Sequence, residues 1–105
     1  MRVLYHQSVE NTLFELIEVL YNEKYFGFYQ AAINYVTELR TEIESSIVNL
    51  PKKKAPVYFD KYRNNLFYVA INKNKNTQWY VFFDQIEDDY FIYLIANNHT
   101  ISQHL

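Results

Sequence analysis

Cysteine is absent from this sequence of 105 residues, which excludes a disulfide framework, a thiolate metal site and a cysteine nucleophile. Glycine occurs once and proline twice. A Ser/His/Asp hydrolase has no support, because its nucleophile elbow needs glycines around the serine. Neither a Gly/Ser-rich nor a Pro-rich linker divides the chain, and nothing in it repeats. Long apolar runs are also missing. None approaches the length that spans a bilayer, and Met1-Arg2-Val3-Leu4-Tyr5-His6-Gln7 turns polar too soon for the apolar core of a signal peptide. A cytoplasmic protein with no membrane partner is expected. His6 and His104 stand near opposite ends with no ligand pattern beside them, so neither a metal site nor another cofactor is expected.

What is present is apolar and aromatic material. Half the residues are hydrophobic and 19% are aromatic, including 11 Tyr and 8 Phe. That is enough to offset chain entropy, and the length suits one domain spanning residues 1–105. Tyr and Phe in such numbers point to a half-buried sheet, where they pair across strands. The net charge of −2 conceals an asymmetry. Residues 1–50 carry Arg2, Lys24 and Arg40 against seven glutamates, a balance of −4. Residues 51–83 carry Lys52, Lys53, Lys54, Lys61, Arg63, Lys73 and Lys75 against Asp60, a balance of +6. A basic middle of this kind is either an anion-binding face or a set of solvated loop charges.

Residues 2–6 alternate weakly and suit a short first strand before Ser8, a candidate N-cap. Val9, Leu13, Leu16/Ile17 and Leu20/Tyr21 then fall on one helical face. This first helix is expected to end near Tyr25-Phe26-Gly27, with the only glycine as a left-handed cap. Phe28, Ala32, Tyr35/Val36, Leu39, Ile43, Ile47 and Leu50 form the face of a second helix, stopped by Pro51. A connection this short makes the two helices an antiparallel hairpin. Beyond Pro51 the period becomes extended, with strands expected at Val57–Phe59, Leu66–Ile71, Trp79–Phe83 and Tyr90–Ile95. The Asn- and Asp-rich spacers 62–65, 72–76 and 84–89 suit hairpin turns. The expected fold is α+β, an N-terminal helical hairpin packed on a four- to five-stranded antiparallel sheet.

This order, strand, helical hairpin and antiparallel strands, resembles the RelE/ParE superfamily of toxin–antitoxin toxins, and the local text agrees. Ile47-Val48-Asn49-Leu50-Pro51, the lysines after it and Lys61-Tyr62-Arg63-Asn64-Asn65-Leu66-Phe67-Tyr68-Val69 resemble the family's passage from its second helix into a basic strand. Gln78-Trp79-Tyr80-Val81-Phe82-Phe83 resembles its Tyr-Arg-aliphatic-aromatic-aromatic strand, and residues 89–99 its last strand with a tail bearing a functional His, Lys or Tyr. The resemblance covers nearly the whole chain. It implies an intracellular toxin held by a cognate antitoxin protein and, in the RelE-like branch, an endoribonuclease cutting mRNA on the ribosome.

In that chemistry a ribose 2′-hydroxyl attacks the adjacent phosphate, so a base, an acid and cationic donors are required. The resemblance gives Lys52, Lys53 and Lys54 an RNA-facing place, Arg63 a bidentate phosphate contact and His99 the position of the C-terminal acid. Gln78 stands where active relatives carry a strand arginine, and it would orient the phosphate through neutral hydrogen bonds. These groups must converge on one concave surface to act on one phosphate. Each also has a plainer reading: Arg63 pairing with Asp60 or Asp84, the lysines solvated in a loop, His99 bonding in a turn, and Trp79 packing across strands. Loss of the arginine and the net acidity suit a ParE-like toxin that binds a protein such as DNA gyrase, and a non-toxic interaction protein of the same fold is a third reading. A homodimer remains open.

Overall fold

The computed structural model describes residues 1–23, 26–101 and 104–105. Strand β1 (Val3–Tyr5) leads into helix α1 (Gln7–Asn22), which is followed by helix α2 (Tyr29–Asn49). Strand β2 (Lys53–Lys54), a 3₁₀ turn at Val57–Lys61, and strands β3 (Phe67–Asn72), β4 (Gln78–Ile86) and β5 (Asp89–Asn97) follow, and a short helix α3 (Asn98–Ile101) closes the order. The fold is α+β, with helices packed on a sheet as the hydrophobic periods predict.

The cap of α1 is His6, two residues before Ser8: its Nδ1 accepts from the Ser8 N–H at 3.1 Å. An imidazole nitrogen serves there because the His6 N–H still bonds Ile92 O at 2.8 Å, so the chain leaves the sheet and enters the helix at one residue. The helix ends earlier than the glycine suggests. Glu23 closes it through a bond to Val19 O at 2.9 Å, and Gly27 has no positive φ, so it is no left-handed cap. Tyr25 lies outside the described residues. Helix α2 ends at Leu50, whose extended ψ of 150° is the conformation that a following proline imposes. Its buried residues Ala32, Val36, Leu39, Ile43 and Ile47 keep the predicted spacing, whereas Phe28, the expected start of that face, is 78% exposed. The helices run antiparallel: Glu10 early in α1 pairs with Arg40 midway along α2 at 2.7 Å, and Tyr21 late in α1 meets the Tyr29 ring at the start of α2.

The five strands lie in the order β1-β5-β4-β3-β2. Strands β3 to β5 form the expected antiparallel meander and β2 pairs antiparallel with β3, but β1 pairs parallel to β5, with Val3 opposite Tyr90 and Tyr5 opposite Ile92. The sheet is therefore mixed. No hairpin ties β1 to β5, so no turn forces them antiparallel, and the whole of the intervening chain serves as the crossover. Arg2 fixes the register through Asp89, with Nη2 to Oδ2 at 2.6 Å.

The strand expected at Val57–Phe59 is instead the 3₁₀ turn. Pro56 supplies no N–H to a ladder, and Phe59 alone is buried while Val57 is 81% exposed, so the apolar run carries one anchor and no alternation. The edge strand is Lys53-Lys54, with Ala55 N–H bonded to Leu66 O at 2.8 Å. Turns behave as their residues suggest. Asn65 has φ 62, and Asn74 Oδ1 accepts from the N–H groups of Asn76 and Thr77 at 2.8 and 2.9 Å. The last spacer is shorter than expected: β4 continues to Ile86, leaving Glu87-Asp88 as the turn, with Glu87 at φ 56.

Strand alternation divides the core in two. Trp79, Val81, Phe83, Ile92 and Ile95 face the helices and meet Leu13, Leu39 and Ile43. Phe82 faces the other way and packs with Phe59 and Leu66, flanked by Tyr68, Tyr80, Tyr93 and Leu94. Tyr93 and Leu94 are neighbours on one face because the β4–β5 register shifts between Phe82 and Phe83, a β-bulge.

Candidate functional site

The face of the sheet away from the helices carries aromatic rings and cations together. Phe59 stacks on Phe82 at 4.4 Å between centroids, and Tyr68 meets both Phe82 and Tyr80. Lys61 Nζ stands 4.0 Å from the Tyr58 ring centroid, and its hydrogen bond with Tyr58 holds its pKa above the ordinary lysine value. The His104 ring stacks on Tyr58 at 3.6 Å, bringing the C-terminal residues back over the 3₁₀ turn. At one end of this face a cavity of about 320 Å³ is lined by Lys53, Gln78, Tyr68, Tyr80 and Leu105. Gln78 is held there by Tyr80, whose hydroxyl donates to Gln78 Oε1 at 2.7 Å.

Of the residues singled out from the sequence, the structure brings together Lys53 and Gln78. The three lysines do not act as one patch, because successive residues of an extended edge alternate between faces. Lys53 pairs with Tyr68 on the far face and Lys54 with Phe67, whose ring belongs to the helix side. Lys52 lies 5.1 Å from the Phe67 ring centroid and donates to Gln85 Oε1 at 3.1 Å. Arg63 is engaged by Asp84, Nε to Oδ2 at 3.1 Å, and its guanidinium lies 5.1 Å from the Tyr93 ring centroid. Asp84 is six residues along β4 from Gln78, which at strand rise is about 20 Å.

His99 follows Asn97, the partner of Trp79, and so lies at the Gln78 end of the sheet, away from Arg63. It also opens toward the other face. The cavity it lines, about 480 Å³, is walled by Leu16, Leu20, Phe26, Tyr35 and Trp79 from the helix side, with Asn74, Asn76, Thr77 and Asn97 at its rim. Arg63 and His99 therefore do not converge on one phosphate. Among the described residues no group of His, Asp and Glu is arranged to hold a metal ion, and no helix is long and apolar enough to cross a membrane.

Sequence reasoning passed over Tyr68 and Tyr80, although the period-two series Gln78, Tyr80, Phe82 marks the far face plainly once β4 is known. The asparagine rim carried no such signal, since asparagines in a spacer read as turn residues. The elements and this geometry define an α+β protein with helices on one face of a mixed sheet and a basic, aromatic surface on the other. No family model matches the chain, and neither the curated proteins nor the solved structures contain a match.

Proposed function

We propose that this chain is the toxin-type member of a toxin–antitoxin module and that it acts by binding its target without cutting RNA. The class is supported by the leading strand, the helical hairpin and the antiparallel meander, with lysines directly after the second helix. The observation that carries the mode of action is the placing of Arg63 against Asp84 and Tyr93, while His99 lies beyond Asn97 at the Gln78 end of the sheet. One phosphate cannot be reached from both ends of β4, and Arg63 is already neutralised by Asp84.

A cognate antitoxin would find its hold on the helices. Phe14 is 71% exposed beside a shallow cavity of about 210 Å³ between α1 and α2, lined by Leu13, Ile17, Val36 and the Glu10–Arg40 pair. An exposed aromatic at the lip of an apolar groove is the usual form of a binding anchor. Phe14→Asp is expected to weaken binding of the product of the neighbouring reading frame by about 30-fold or more, measured by titration calorimetry.

The deciding experiment is expression of the chain alone and with that neighbour, combined with primer extension of mRNA in a translation extract. Growth arrest relieved by the neighbour, without new RNA ends, is the expected result. The endoribonuclease reading is favoured by one feature, the cavity that Lys53 and Gln78 share with two tyrosines. Cleavage enhanced by Gln78→Arg and lost in His99→Ala would establish that reading and refute ours.

A further inference from the structure

The cavity beside His99 has properties that neither reading uses. Its volume of about 480 Å³ falls within the range of small-molecule sites. None of its described lining residues is Asp, Glu, Lys or Arg. Apart from the His99 imidazole, an ionic ligand would therefore meet no ionisable partner there to offset its lost hydration.

The wall is aromatic and braced. Trp79 Nε1 donates to Tyr35 Oη at 3.1 Å, the Phe26 ring lies 5.7 Å from that of Tyr35, and Lys73, anchored on Glu42 at 2.7 Å, stands over the Tyr35 ring. Rings fixed in this way present faces and edges to another flat ring with little further loss of freedom. The rim is equally settled. Asn74 Oδ1 is occupied by two backbone N–H groups and Asn97 Oδ1 by the His99 N–H at 2.9 Å. Their Nδ2 donors have no partner among the described residues, and a ligand carbonyl can accept from them without bringing a charge into the cavity.

We propose that this cavity is a binding site for an uncharged aromatic molecule carrying an amide or lactam edge. The ring lies against Trp79 and Tyr35, and the carbonyl accepts from the asparagine rim.

The test uses the full chain labelled with ¹⁵N and three matched probes: 2-naphthamide, 2-naphthoate and 2-naphthylmethylammonium. Trp79 is the only tryptophan, so its indole N–H gives one assignable resonance inside the wall. The amide should move that resonance saturably with a Kd of about 1 mM or tighter, and both ions should bind about tenfold more weakly or less. Asn97→Asp keeps the acceptor for the His99 N–H and sets a carboxylate on the rim. It should weaken the amide about tenfold and make the ammonium probe the preferred ligand. Absence of a saturable shift with 2-naphthamide, equal binding of the three probes, or unchanged selectivity in a folded Asn97→Asp would overturn the proposal. A shift that follows protein concentration without any probe would place a second copy in the cavity and overturn it equally. The wild-type series decides the matter by itself should the variant lose its dispersed spectrum.

Discussion

Phe59 and Val57 sit two positions apart in the same apolar triplet, and their fates differ completely. Phe59 is 1% exposed and stacked on Phe82, whereas Val57 faces water. Phe59→Ala should therefore cost about 3–5 kcal/mol in urea unfolding, while Val57→Ser should stay within about 0.5 kcal/mol. Equal losses would restore a strand in which both residues pack. Asp89 offers a second test at this scale, through pH. The Arg2 guanidinium holds its carboxyl below the usual carboxylate range, chiefly through the side-chain hydrogen bond. A depressed carboxylate contributes stability that is complete above its unfolded-state pKa of about 3.9 and is lost as pH falls through the lower folded-state value. In Arg2→Met the Asp89 pKa followed by NMR should rise toward the ordinary range. The stability gap between variant and wild type should then close as the solution is made acidic.

At the scale of elements, the β4–β5 turn places Glu87 in the left-handed region at φ 56, which L-residues with a Cβ adopt at a cost. Glu87→Gly should raise the unfolding free energy by about 0.5–1 kcal/mol, after the extra entropy of an unfolded glycine is deducted. The helices and the three long strands were legible because each keeps one hydrophobic period over many residues, as Ala32 to Ile47 and Trp79 to Phe83 do. What escaped had little periodic text. The Lys53-Lys54 edge is two residues long and carries no apolar side chain, and lysines on an edge also guard against pairing with another chain. The parallel seating of β1 depends on Arg2 meeting Asp89, 87 residues away, which no local window records. For the same reason the sequence named Arg63, Gln78 and His99 as candidates without fixing their separation. That distance follows from strand register, and register was visible only in the sheet.

For the whole molecule, the asymmetry of charge along the chain becomes a separation in space. Acidic α1 and α2 cover one face, and much of the basic middle of the sequence supplies the edge and far face of the sheet. One arrangement of this sheet also bears on how the chain reaches its native state. Among the described residues strand β1 has β5 as its only neighbour, so Val3 pairs with Tyr90, a residue made 87 positions later. Throughout synthesis the helical hairpin can form early, since its contacts are local, while Val3 to Tyr5 stay without a ladder until Tyr90 to Ile92 arrive. Closing that seam brings together two strands far apart in the chain in one late step, so the edge of β5 stays open to strangers for as long as it takes to find β1.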